Sequence, residues 1–210
     1  MLVDVLNAES PRHGWTVADI SPHLSRGFPW HELEHPHPEL ANPGAWWNHL
    51  CGVLRTALVD AGVAAPLADR VLESLPAEYT RLDRWAIFPD VVPALERLTE
   101  RGWLHVVVSN HCPELPDLAV GLGIGRHFAA ILTSAETGFE KPHPEAYALG
   151  LRAAGKPDLV WMVGDSVEAD LAGAARCGIP GVLVRRPGQG RDAAPDLAAA
   201  VEIILKTMPS

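Results

Sequence analysis

Long apolar runs are missing from this sequence: none approaches the roughly 20 residues that cross a bilayer, which argues against a membrane-spanning helix. Cysteine is scarce. Cys51, Cys112 and Cys177 are odd in number and form no Cys-x-x-Cys pair, which argues against a disulfide framework and for a reducing compartment. Basic charge is short as well. Lys and Arg number 17 against 26 Asp and Glu, a net charge of −9, so neither nucleic acid nor an anionic membrane surface meets a cationic patch. No leader-like segment stands at Met1, so the cytoplasm is the expected location. Internal repeats and low-complexity tails are absent too. What remains is 210 residues, 48% of them hydrophobic, enough for one α/β domain with a smaller one inserted.

Composition changes near Phe88-Pro89. Before it the chain reads as helical and rich in Trp, His and Pro. Ala45 to Asp60 carries Trp46, Trp47, Leu50, Val53, Leu54 and Leu58 on an amphipathic pattern ended by Gly62. Pro66 to about Arg84 is a second helix, which Pro76 is expected to break or kink. Val91 to Arg101 is a third. Afterwards strands alternate with helices: strand Leu104–Val108, helix Asp117–Leu122, strand Ala130–Leu132, helix Pro144–Ala154, strand Leu159–Val163, helix Glu168–Cys177, strand Gly181–Val184 and helix Ala194–Leu205. That alternation predicts a doubly wound parallel sheet, with an α-helical cap inserted ahead of most of it.

The chemistry concentrates at three strand and loop ends. Val160-Trp161-Met162-Val163 is apolar on both faces and stops at Gly164-Asp165, with Asp170 five residues on, near a helix start. Gly164 lets the backbone turn and delivers Asp165 at the carboxyl edge of the sheet, where open α/β folds bind ligands. Two carboxylates there suit Mg²⁺, a hard cation that takes oxygen ligands and keeps waters for a phosphate. The run Leu104 to Val108 ends at Ser109-Asn110, and Lys141 stands before Pro142-His143-Pro144, which opens a helix. A strand-end hydroxyl, a loop ammonium and a strand-end carboxylate are the parts needed to hold a phosphoryl group. Singly, each has a bland reading as a cap, a surface charge or an acidic turn.

Ser109-Asn110, Lys141-Pro142-x-Pro144 and Gly164-Asp165-xxxx-Asp170 resemble the second, third and fourth motifs of the haloacid dehalogenase-like hydrolases. The resemblance covers roughly Phe88 to Val184. It implies that Ser109 binds the transferring phosphoryl group and that Lys141 steadies nucleophile and phosphate. It places Mg²⁺ on Asp165 with Asp170 in support, and it adds Asn110 to the substrate-binding residues. It also implies a helical cap at residues 16–87, an α/β core at 88–210, and a residual helix or core remnant at 1–15. The implied activity is Mg²⁺-dependent hydrolysis of a small phosphomonoester, the partner being a small phosphorylated metabolite. A 2-haloacid dehalogenase is the rival reaction, and a non-catalytic phosphate-ligand or protein-binding module is the rival class.

One part of the pattern is missing. In the resembled family a nucleophilic aspartate, in a pattern like Asp-x-Asp-x-Thr, follows an apolar strand in the middle of the sheet. Only Asp4 is available, with Leu6 and Ala8 where the second carboxylate and the threonine would stand. Leu2, Val3 and Leu6 are spaced instead as one face of a helix. The expectation is therefore that this sequence starts inside the protein, and that these 210 residues alone are inactive. Without the strand, two buried sheet edges stand open unless Met1–Leu6 fills the gap.

The segment Phe28 to Glu39 offers His31, His35 and His37 with Glu32 and Glu34, donors enough for zinc. Three prolines deny it a regular scaffold, so it reads as a loop between cap helices. Trp46-Trp47 reads as cap core in preference to a substrate platform. Cys112 reads as a cleft-lining residue with no base partner to make it a nucleophile.

Overall fold

Helices account for the first half of the chain. The computed structural model describes residues 1–32, 35–186 and 193–207. Its helices α1 (Leu2–Glu9), α2 (Val17–Ile20), α3 (Pro43–Asp60) and α4 (Ala65–Tyr79) all precede the first strand. α3 starts where the Asn42 side chain accepts the Ala45 N–H at 2.8 Å, with Pro43 at the first position, where a missing N–H costs nothing. The chain leaves α3 at Gly62, whose φ of +90° suits glycine.

Pro76 lies inside α4, yet the helix continues to Tyr79, so the expected break does not occur. A proline offers no N–H to the carbonyl four residues back. That carbonyl, on Leu72, faces the Cys51 thiol of α3 at 3.8 Å instead. Only the last turn depends on Pro76, which keeps the loss small.

These helices close on one apolar cluster in which Leu6 and Leu58 are wholly buried, together with Val5, Val63, Ala68 and Val71. Burying side chains of this size contributes about 1.5–3 kcal/mol each. Met1–Leu6 is therefore spent on the helical layer. It does not fill a strand position.

From α5 (Val91–Thr99) onward, strands and helices alternate: β1 (Val106–Ser109), α6 (Leu115–Gly121), β2 (Ala130–Thr133), α7 (Ser134–Thr137), α8 (Pro144–Ala153), β3 (Met162–Gly164), α9 (Gly173–Arg176), β4 (Gly181–Val184), β5 (Ala193–Ala194) and α10 (Leu197–Lys206). Every pairing is parallel. Val106 stands opposite Ala130 and Ser109 opposite Thr133, Met162 opposite Gly181, and Leu183 opposite Ala193. This is the expected α/β class with a helical cap and parallel sheet.

The sheet is split. Among the described residues β1 pairs only with β2, and β3 only with β4, so two ladders stand without joining. The split also explains two boundary differences. The expected strands Leu104–Val108 and Leu159–Val163 are shorter at their amino ends. Leu104 and Leu159 are 55% and 41% exposed, where a second neighbouring strand would cover them. The expected helix Glu168–Cys177 opens as a π turn over Val167–Ala172, in which the Ser166 carbonyl accepts from both Asp170 N and Leu171 N.

Candidate active site

Lys141 is the best-held residue of the site. Its Nζ donates to Asp170 Oδ1 at 2.6 Å, and both side chains are about nine-tenths buried, at 11% and 6% exposure. The second Asp170 oxygen accepts from Ser166 N at 2.9 Å. Gly164 makes this possible: a Cβ there would stand 2.2 Å from the Asp170 carboxylate. The Lys141 backbone is fixed as firmly. Asn110 Oδ1 accepts from Lys141 N at 2.7 Å while Asn110 Nδ2 donates to Lys141 O at 2.8 Å. Both ends of the Asn110 amide, expected on a substrate, thus clamp the end of β1 to the lysine loop.

Asp165 is placed differently. It follows β3 directly, and its side chain is 67% exposed, with Arg186 Nη2 as its nearest cation at 3.9 Å. Arg186 Nε also donates to the Asp165 carbonyl at 3.0 Å. Ser109 closes β1 at the same carboxyl edge of the core. The fold therefore gathers Lys141, Asp165 and Asp170 at the rim of one cavity, and Asn110 ties Ser109's strand to that rim.

That cavity is the split in the sheet, a slot of about 580 Å³. Val106, Val107 and Val108 form one wall and Met162, Val163 and Gly164 the other. Leu98, Val201 and Ile204 of α5 and α10 close one face; Tyr147, Leu151 and Ala154 close the opposite face. Asp4 is nowhere near it. That residue sits on α1, 3.1 Å from the terminal amine and 3.8 Å from Arg84. Asp4 does not line the slot.

The oxygen donors fit Mg²⁺ by their chemistry. An exposed carboxylate at a strand end, with Arg186 at 3.9 Å as its cation among the described residues, suits an ion that binds one or two carboxylates and keeps its waters. Asp170 is already engaged by Lys141 and Ser166, which leaves Asp165 as the open ligand. Among the described residues no three His, Cys, Asp or Glu side chains converge on one point, and Glu34 of the histidine segment lies outside those residues.

The cap meets the core beside Ser109. Tyr79 at the end of α4 contacts His111 Nε2 at 3.3 Å, and Trp47 Nε1 donates to Glu114 at 2.9 Å. Burial lowers the His111 pKa below the usual imidazole range. Burial also pushes the Cys112 thiol up to about 12, the wrong direction for a nucleophile. Trp46, 5% exposed, is cap core.

Two residues escaped the sequence reading. Arg186 follows an apolar strand at the same edge as Asp165, and the same strand-end logic would have found it. Glu140 carries no such signal: it reads as a solvated charge, yet it is 4% exposed with Oε2 unpartnered. Burial raises its pKa, partly offset by Ser134, His37 and Lys141.

A family model for haloacid dehalogenase-like hydrolases matches residues 7–178. A phosphoserine phosphatase from Thermus thermophilus is 34% identical over 149 residues, 69% of this chain and 59% of that protein. Haloacid dehalogenase-like hydrolase domain-containing protein 3 of Mus musculus is 30% identical over 182 residues, 82% of this chain and 70% of its own length. The chain thus spans 59% and 70% of these two relatives. A 2-haloacid dehalogenase structure from Pseudomonas syringae pv. Tomato DC3000 superposes with a TM-score of 0.64 at 25% identity, covering 99% of this chain and 89% of that one. The chain belongs to the haloacid dehalogenase-like hydrolases.

Proposed function

We propose that this chain is most of a Mg²⁺-dependent phosphatase for small phosphomonoesters, completed by a strand in the slot that carries the nucleophilic aspartate. The slot carries this reading. Lys141 and Asp165 border the space between β1 and β3 at its carboxyl end, and Ser109 closes β1 at that end, where an aspartate following an apolar strand would arrive. On this reading the segment lies upstream of Met1 in the gene.

Each residue then has a task. The Ser109 hydroxyl donates to a phosphoryl oxygen. The Lys141 ammonium, aimed by Asp170 and Asn110, neutralises charge on the nucleophile and the phosphoryl group. The Asp165 carboxylate holds the metal, and Mg²⁺ when bound supplies charge neutralisation at the phosphoryl oxygens. Attack by the incoming aspartate on phosphorus breaks the ester P–O bond, so the alkoxide leaves and takes a proton from solvent while an aspartyl phosphate forms; water then cleaves that acyl phosphate, restoring the aspartate and releasing inorganic phosphate. The half-buried cap–core contacts at Tyr79 and Trp47 hold the lid that keeps bulk water out.

Dehalogenation is the second reading, supported by the similar dehalogenase structure. The open Asp165 carboxylate favours the phosphatase, because dehalogenation in this family needs no metal. The test is the protein extended upstream of Met1, assayed on para-nitrophenyl phosphate with and without EDTA. Mg²⁺-dependent phosphate release that Asp165→Asn abolishes supports the proposal. Metal-independent chloride release from a 2-haloacid overturns it. The 210-residue chain alone is expected to release no phosphate, since it holds the phosphate-binding groups and lacks the group that attacks.

A further inference from the structure

The segment from Ser134 to Lys141 belongs to two layers at once. At its start, Ala135 is wholly buried in one apolar cluster with Phe28, Trp46 and Leu50 of the cap. In its middle, the Gly138 carbonyl accepts from His37 N at 2.7 Å. The approach is close. A Cβ on Gly138 would stand 2.9 Å from Pro38 Cα and 3.1 Å from the His37 carbonyl, and the φ of +76° there suits glycine. At its end, Lys141 is held by Asn110 and Asp170 of the core. Only Phe139 and Glu140 separate the residue held by the cap from the residue held by the core.

Glu140 is the responsive part of that link. Its side chain is 4% exposed with Oε2 unpartnered, and an incompletely bonded buried carboxylate is unfavourable. Ser134, His37 and Lys141 are the groups close enough to favour its charge. His37 Nε2 and Ser134 Oγ are likewise buried without a partner among the described residues, while His37 Nδ1 meets Glu39 at 3.4 Å. The imidazole thus belongs to the cover that the cap places over Glu140. If the cover lifts, water reaches the carboxylate, which turns outward to be solvated. The peptide joining Glu140 to Lys141 must then turn with it. Both groups of that peptide are in use: Glu140 O accepts from His143 N at 2.8 Å, and Lys141 N donates to Asn110 Oδ1 at 2.7 Å.

We infer that His37 and Pro38 are positioning residues for Lys141: seated on Gly138 and over Glu140, they make docking of the cap a condition for the aim of the Lys141 ammonium. That this aim serves phosphoryl transfer rests on the proposed function; the coupling itself rests on the contacts of His37, Gly138 and Glu140. Neither cap residue need touch a reacting atom. The ammonium is in place when the lid is down, and the same contact that excludes water aims the charge.

The test reads the Lys141 amine in the 210-residue chain. The chain has three lysines, and Lys156 and Lys206 are exposed, so trace acetylation with acetic anhydride, resolved by peptide mass spectrometry, gives Lys141 an internal reference. His37→Ala is expected to raise Lys141 labelling at least about fivefold relative to Lys156. His37→Gln keeps a side-chain N–H over Glu140 and should stay within about twofold of the parent. Val17→Ala, on the exposed surface of the cap, should do the same. Glu140→Gln removes the carboxylate that seeks water, so in that background His37→Ala should raise labelling by less than about twofold. Should His37→Ala fail to fold, Gly138→Ala drives loop and cap segment apart from the other side and carries the same expectation. Unchanged Lys141 labelling, an equal rise in Val17→Ala, or a rise that persists undiminished with Glu140→Gln would overturn the inference. In the upstream-extended protein, His37→Ala should lower kcat at least about tenfold with KM within about threefold. A raised KM with unchanged kcat would make His37 a substrate-side contact and overturn the positioning role. If labelling responds as expected and the extended protein releases no phosphate, the coupling stands and the proposed catalysis falls. If the extended protein is an active phosphatase and labelling does not respond, the proposed function stands and this inference falls.

Discussion

Replacing Gly164 by alanine adds one methyl group, and the neighbours decide its cost. The new Cβ would lie 2.2 Å from both Cγ and Oδ2 of Asp170 and 2.6 Å from its Cβ. No such contact survives, so Asp170 must leave its place under β3. Its departure strands Lys141, whose ammonium loses its 2.6 Å partner while only 11% exposed, and frees Ser166 N from its 2.9 Å bond. Removing one partner of a buried ion pair costs about 3–5 kcal/mol, and the lost hydrogen bond adds about 1 kcal/mol. That is a large share of the 5–15 kcal/mol typical of a whole domain.

Urea denaturation reads the change directly. With an m-value of about 1–3 kcal/mol/M, the midpoint should fall by at least about 1 M. The same substitution at Gly52 is the control. Gly52 lies exposed in the middle of α3 with nothing within 4 Å of an added Cβ, so alanine there should stabilise by about 0.8–1 kcal/mol through helix propensity. In an Asp170→Gly background, which removes the Cβ 2.6 Å away as well as the carboxylate, the cost of Gly164→Ala should fall below about 1 kcal/mol. Equal costs in the two backgrounds, within about 0.5 kcal/mol, would refute the reasoning.

Glu140 gives a pH test. Burial raises its folded-state pKa, so its stabilising contribution is full below the unfolded value of 4.5 and fades as pH rises through the folded one. Glu140→Gln should therefore raise Tm at pH 7 and leave it unchanged near pH 4; an equal shift at both would remove burial as the cause. Tyr147→Phe leaves the Ala169 carbonyl without its donor, and chemical denaturation should show a loss of about 0.5–1.5 kcal/mol. Asp4→Ala should change stability by less than about 0.5 kcal/mol and leave phosphate release by the upstream-extended protein intact; loss of turnover would return Asp4 to the chemistry.

Strand-end logic reached far in this chain. Apolar runs that stop at a polar residue located the edge of the sheet, and Ser109, Lys141 and Asp165 fall at that edge for the reason given by their flanking Val, Pro and Gly residues. What the residues near Lys141 do was harder to read, because a charge's burial is set by tertiary neighbours. Nothing local distinguishes Glu140 from a solvated glutamate, nor shows that Asp170 would spend its oxygens on Lys141 and Ser166. Pro76 misled because the thiol that meets the Leu72 carbonyl sits on another helix. The slot left no local signal: Leu104 and Leu159, which border it, read as covered strand residues yet are 55% and 41% exposed.

The π turn over Val167–Ala172 makes this segment a matter of counting. An α-helix advances about 100° per residue, and the turn holds one residue more per hydrogen-bonded ring than an α-helix would. Deleting one residue there would let a regular helix form, with better local hydrogen bonding, and would swing every later side chain of that turn by about a quarter of a revolution. Asp170 would then point away from Gly164 and Lys141. Local regularity and the aim of one carboxylate are opposed in this stretch, so its length should tolerate substitution far better than insertion or deletion.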